Sequence, residues 1–94
     1  MRTIVLSSQF RKDVKRMRKR GLPENELNQV VFDLANDTPL AVDKHDHNLS
    51  GLFKESRECH IRPDWLLVYR KTNDGTLQML NLQRTGTHSD LFGK

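Results

Sequence analysis

Five residues in this chain combine types and spacings that could do chemistry: His47, His60, Asp64, Arg84 and His88. They fall in a loop, beside a turn between two strands, at the end of a later strand and in the tail behind it. A sheet in which those strands are neighbours would bring them to one rim. No C-x-x-C or H-E-x-x-H spacing and no glycine-rich phosphate loop accompanies them, and no Ser-His-Asp pattern is defensible. What remains is histidine with arginine, the equipment for cleaving a phosphodiester without a metal or cofactor. One imidazole takes the proton of a ribose 2′-hydroxyl, another protonates the leaving 5′-oxygen, and a guanidinium stabilises charge on the phosphorane. Imidazole suits both proton transfers because its reference pKa, ~6.5, lies near working pH. Each positioned transfer is worth ~10²–10⁴-fold, and preorganised donors at the phosphate contribute on a similar scale. A divalent ion held by His45, His47, His60, His88 and Asp64 is the alternative use of the same side chains.

The stretch from Arg57 to Arg70 must position this set. Alternation places Cys59 and Ile61 on one strand face and His60 and Arg62 on the other. Pro63-Asp64 makes the turn, and Trp65 to Tyr69 form a strand buried on both faces. Before it, Thr3 to Leu6 read as a short strand and Ser7 or Ser8 as a helix cap. Phe10, Val14 and Met17 make a narrow apolar stripe on a first helix that Gly21 closes. Pro23 opens a second helix with Leu27, Val30, Val31 and Leu34 as its core stripe. Residues 39–54 read as a loop. Asp74-Gly75 signals a hairpin, after which Gln78, Leu80, Leu82 and Arg84 are expected on one strand face. Thr87 caps a short C-terminal helical turn. The expected fold is therefore α+β, one domain over 1–94: a two-helix hairpin on a small, mainly antiparallel sheet in the order β-α-α-β-β-β, the first strand joining the later meander.

Charge is distributed unevenly. Residues 1–20 carry eight Lys or Arg and one acid, Asp13, whereas the remainder is net acidic. Repulsion within the first helix costs stability, so Lys12, Lys15, Arg16 and Lys19 are expected to meet RNA phosphates or an acidic protein. A solvated helix face is the plainer reading. No apolar run reaches the ~20 residues of a membrane span, the opening residues lack the form of a signal peptide, and a lone cysteine makes no internal disulfide. The expected place is the cytoplasm. Plainer readings hold elsewhere: Cys59 and Trp65 as core, His45 as an ordinary exposed loop residue, Arg62 as solvent-facing, and Arg84 as a structural partner of Asp64. Phe92 either packs the tail down or stacks on a base.

Three motifs carry a resemblance. Asp46-His47-Asn48-Leu49-Ser50-Gly51, the run from Arg57 to Tyr69, and Gln83-Arg84-Thr85-Gly86-Thr87-His88 continuing to Gly93 resemble the YafQ type of toxin, in the RelE/ParE superfamily of bacterial toxin–antitoxin systems. Ser8 to Lys15 also fits, so the likeness spans essentially the whole chain. It implies an endoribonuclease that cuts mRNA in the ribosomal A site through the 2′-hydroxyl, leaving a 2′,3′-cyclic or 3′-phosphate and a 5′-hydroxyl. It implies the 70S ribosome, mRNA and rRNA as partners. A cognate ribbon-helix-helix antitoxin of the DinJ kind is implied as well, with DNA contacted only through that antitoxin. By motif match the catalytic histidines fall on His47, His60 and His88, the aspartate on Asp64, the phosphate-binding arginine on Arg84 and the tail aromatic on Phe92. His88 is favoured as general acid and His47 or His60 as base, while His45 is an addition to the family's usual loop. The ParE branch, which poisons DNA gyrase without catalysis, is the alternative. It needs no histidine set, which counts against it.

Overall fold

A computed structural model describes residues 1–49 and 55–93. Residues 50–54, which include the end of the expected 39–54 loop and of the Asp46–Gly51 motif, lie outside the described residues, as does Lys94. The chain runs β1 (Thr3–Leu6), α1 (Ser8–Lys19), α2 (Glu24–Ala35), a 3-10 turn (Val42–Lys44), β2 (His47–Asn48), β3 (Arg57–Arg62), β4 (Trp65–Asp74), β5 (Leu77–Gly86) and α3 (His88–Phe92). The sheet order is β1-β5-β4-β3-β2. β1 lies parallel to β5, and every other pairing is antiparallel. This is the α+β architecture expected, with two additions inside the stretch read as loop: the 3-10 turn and β2.

Local chemistry accounts for the element ends. Ser7 caps α1, its Oγ accepting the Phe10 amide at 2.9 Å. After Arg20 the chain turns through Gly21 at φ +78°, a conformation that favours glycine. Two bonds close the end, Gly21 N to Arg18 O at 3.0 Å and Leu22 N to Met17 O at 3.2 Å, the pairing of a Schellman turn. Both helices lay their stripes on one sheet face. Phe10, Met17, Leu27, Val30 and Leu34 share a core with Cys59, Ile61, Trp65, Leu67, Tyr69, Leu80 and Leu82. Each such large side chain contributes about 1.5–3 kcal/mol on burial. Cys59 is fully buried, which pushes its thiol up to about 12, so it is core, as its place in the strand implies.

Three local expectations need correction. The hairpin turn is Gly75-Thr76, because Asp74 pairs with Leu77. Arg62 is exposed but not idle: its Nε donates to Glu26 Oε1 at 3.0 Å, tying the end of β3 to α2. The third concerns β5. Val68 pairs with Arg84 but Tyr69 pairs with Leu82, leaving Gln83 as the extra residue of a bulge. Arg84 is thereby moved out of phase with Leu80 and Leu82, and Thr85 takes the inward place. Thr85 is fully buried and satisfied there, accepting from Trp65 Nε1 at 3.0 Å and donating to the Leu66 carbonyl at 2.7 Å.

Candidate active site

The strand register builds the site. Residues directly opposite on neighbouring strands share a face. His47 pairs with Glu58, Glu58 with Val68 and Val68 with Arg84, one continuous row across four strands. The next row is His60, Leu66 and Gly86. Both rows lie on the face opposite the core residues Cys59, Leu67 and Tyr69. Without the bulge at Gln83, Arg84 would have pointed with Leu82 into the helices. The candidate residues thus converge on a sheet face, rather than at its rim, and two flanking segments complete the set. Asp64 sits in the β3–β4 turn, and His88 opens α3 just beyond Gly86.

His60 is the centre of this cluster. Its ring centroid lies 5.3 Å from His45, 6.3 Å from His47 and 5.7 Å from His88. On the tail side, Asp64 Oδ1 takes two bonds from one residue, the His88 amide at 2.9 Å and His88 Nδ1 at 2.6 Å. These hold the Asp64 carboxyl below its ordinary range, the backbone donor first. On the loop side, His47 Nδ1 lies 2.6 Å from the His45 carbonyl oxygen. Both partners are acceptors, so each Nδ1 carries the proton and each Nε2 is left for other contacts. The loop is pinned in turn: Lys44 Nζ donates to the Ile61 carbonyl at 3.2 Å, and Arg57 Nε donates to Asp46 Oδ1 at 3.2 Å. The Tyr69 hydroxyl also donates to Asp46, and burial, then this bond, pushes its pKa up.

Three residues outside the five first singled out for acid–base chemistry belong to the site. Glu58, only 5% exposed, sets Oε1 3.4 Å from His60 Nε2 and 3.5 Å from His47 Nε2. Its signal was available, since alternation puts Glu58 and His60 on one face. His45, read as an ordinary loop residue, turns at φ +48° and brings its ring against His60. Asp13 is the third. It is fully buried and accepts from Arg84 Nε at 2.7 Å, Arg84 Nη2 at 3.2 Å, Arg16 Nη2 at 3.0 Å, Gln9 Nε2 at 3.1 Å and the Thr85 amide at 3.1 Å. Arg84 therefore pairs with Asp13 and not with Asp64. That fork fixes the guanidinium plane and leaves Nη1 with no protein partner among the described residues. No three His, Cys, Asp or Glu side chains among the described residues are placed to hold one metal ion.

Along α1, Lys12, Lys15 and Lys19 are exposed and unpaired among the described residues, whereas Arg16 is half-buried and engaged with Asp13. Phe92 stands 37% exposed at the end of α3. A second concave region lies away from the histidines, a groove of ≈ 640 Å³ between α1, α2 and β1. Leu6, Phe10, Val14, Leu27 and Val31 form its apolar walls, and Arg11, Lys15 and Arg18 its mainly basic margin, with Glu24 paired to Arg18. Ile4, Val5 and Leu6 remain 37–40% exposed along this edge strand. No helix among the described residues is long and apolar enough to cross a membrane.

Comparison with known proteins gives consistent matches. Residues 2–93 match the family described as the bacterial toxin of type II toxin–antitoxin systems, YafQ. The mRNA interferase toxin YafQ of Escherichia coli K12 is 42% identical over 93 residues, covering 98% of this chain and 97% of that one. In a crystal structure of the E. coli DinJ–YafQ toxin–antitoxin complex, a chain 42% identical superposes with a TM-score of 0.87, with 98% of each chain covered. A metal-bound toxin from Helicobacter pylori, 44% identical, also gives 0.87 over 98% of this chain and all of that one.

Proposed function

This chain belongs to the YafQ family of bacterial type II toxin–antitoxin toxins, and on that premise we propose that it is an endoribonuclease that cuts mRNA in the ribosomal A site by metal-free acid–base catalysis. The observation that carries the chemistry is the contrast between His47 and His88, whose Nδ1 atoms lie against a carbonyl and a carboxylate. A carbonyl on Nδ1–H holds neutral imidazole in the tautomer whose Nε2 lone pair can accept a proton. A carboxylate there can balance the charge of an imidazolium whose Nε2–H gives one. His47 Nε2 takes the proton of the 2′-hydroxyl, the 2′-oxygen bonds to phosphorus, the P–O5′ bond breaks, and His88 Nε2 protonates the departing 5′-oxygen. The products are a 2′,3′-cyclic phosphate and a 5′-hydroxyl. Glu58 then balances the charge His47 has gained, an interaction stronger after proton transfer than before. His60 and the free Nη1 of Arg84 supply donors to the phosphorane oxygens, and Phe92 stacks on a neighbouring base.

The surroundings fit this reading. Lys12, Lys15, Lys19 and the exposed part of Arg16 meet rRNA phosphates, which makes ribosome binding steeply salt-dependent. The apolar groove with its basic margin suits an acidic, amphipathic segment of a DinJ-like antitoxin; DNA would be reached only through the antitoxin. Such a chain works in the cytoplasm. The test is to incubate the purified chain with programmed 70S ribosomes, with and without EDTA, and map mRNA 5′ ends. Cuts that need the ribosome, survive EDTA and vanish in His88→Ala and His60→Ala are expected. Intact mRNA together with loss of gyrase supercoiling activity would move the chain to the ParE type, and cuts abolished by EDTA would make it a metal-dependent hydrolase.

A further inference from the structure

His88 stands on a helix of five residues, which has too few turns to hold its own direction. Asp64 fixes one side of the imidazole. The turn that carries it is fixed by Asp90. Asp90 occupies the third position of α3 and completes a capping box: its Oδ2 accepts the Thr87 amide at 3.0 Å, and its amide donates to Thr87 Oγ1 at 3.1 Å. A capping box needs no more than this, yet the same carboxylate is gripped from another element. Arg20, just past the end of α1, donates Nη1 to Oδ2 at 2.6 Å and Nη2 to Oδ1 at 3.1 Å, a two-pronged fork. Arg16 adds a second positive charge, its Nε lying 3.8 Å from Oδ2. That Nε is buried and has no hydrogen-bond partner among the described residues. Asp90 is drawn tight against the end of β5, since a Cβ on Gly86 would stand 3.0 Å from both Asp90 Cβ and Oδ2. The Asp90 carboxyl is held far below its ordinary range, chiefly by Arg20.

Asp13, Arg16 and Arg20 fall at i, i+3 and i+7, one face of α1. That face therefore carries alternating charge with the tail: Asp13 on Arg84 at one end, Asp90 between Arg16 and Arg20 at the other. We propose that Arg20 and Asp90 are positioning residues that lock α3 to α1 and so aim His88 Nε2 at the leaving 5′-oxygen. This rests on His88 being the proton donor. A surface ion pair alone adds little to stability, so the contact acts through geometry: a misplacement of ~1 Å can cost ~10²-fold in rate.

The test compares Arg20→Ala, Asp90→Asn and the double variant with His88→Ala in single-turnover cleavage of ribosome-bound mRNA at saturating toxin. Asp90→Asn keeps one acceptor oxygen for the Thr87 amide but removes the charge and one of the two acceptors that Arg20 grips. Each single change is expected to slow cleavage about 10-fold, with ribosome affinity unchanged and the double variant no slower than either. An mRNA carrying sulfur in place of the 5′-bridging oxygen at the cut needs no proton donor, so it should return all these variants, His88→Ala included, to near the unmodified rate. Imidazole ¹⁵N spectra of the free protein should show His88 leaving its Nδ1–H tautomer in Arg20→Ala. The lock is overturned if Arg20→Ala and Asp90→Asn cut at the unmodified rate while His88→Ala does not. It is equally overturned if sulfur rescues His88→Ala but not the other two. Full activity of His88→Ala would instead remove the proton-donor reading beneath it.

Discussion

Two short segments bring histidines to opposite sides of His60, and they are held in unlike ways. The segment from Val42 to Asn48 is fastened to the sheet beneath it, through Lys44 on Ile61, Asp46 on Arg57 and Tyr69, and the β2–β3 pairing. The tail from Thr87 to Phe92 is fastened to a turn and to a helix, through Asp64 and Arg20. The first gives its imidazole a neutral acceptor behind Nδ1, the second a charged one. On the proposed mechanism, base and acid are one residue type told apart by what stands behind the ring.

Breaking either side should separate the two roles. Removing the tail imidazole with His88→Ala is expected to cost ~10³-fold in cleavage on the ribosome, and His47→Ala ~10²-fold. The sulfur-substituted mRNA should restore the former and leave the latter slow; the reverse pattern would exchange the assignments. Asp64→Asn keeps the shape of the tail contact while making the group behind His88 neutral, like the one behind His47. A loss of ~10²-fold is expected, and a smaller loss for Asn than for Ala would show how much is orientation and how much is charge. Glu58→Gln touches the loop side alone, and about 10-fold is expected, non-additive with His60→Ala in a double-mutant cycle.

Stability offers a gentler probe of the same contrast. Asp13→Ala removes a buried carboxylate under Arg84 and is expected to cost about 3 kcal/mol in urea unfolding, with no comparable loss for a change at Asp46 on the more exposed loop. Asp64 and Asp90, both on the tail side, have carboxyl pKa values lowered by folding. A lowered folded value means that stability is present above the unfolded value, ~3.9, and is lost as pH falls through the folded one. The tail should therefore loosen progressively below about pH 4, seen as exchange broadening of Thr87 to Phe92 amides.

Much of this was legible in the chain, and for identifiable reasons. The helix stripes of Leu27, Val30 and Leu34, the Pro63-Asp64 turn and the Thr87 cap are local patterns, and local patterns survive folding. The bulge at Gln83 was not legible, because it is a relation between strands. It reverses the direction of Arg84 that alternation along β5 alone would give. Asp13 looked like one acid in a basic helix; its meaning lies in Arg84, far along the sequence. His45 was read chiefly as an ordinary exposed residue, the usual fate of histidine in a loop, and only a left-handed turn brings it back to His60. Residues whose role is to hold another residue carry little signal of their own.

The parallel pairing of β1 with β5 also sets when the molecule can come into being. Thr3 finds its partner in Met79 and Leu6 in Leu82, so β1, once made, waits for the much later β5. Contacts so distant close slowly and late, and until then Ile4, Val5 and Leu6 have no strand to join. Arg84 and His88 are made later still. The cluster around His60 therefore assembles only once residues through α3 have been made.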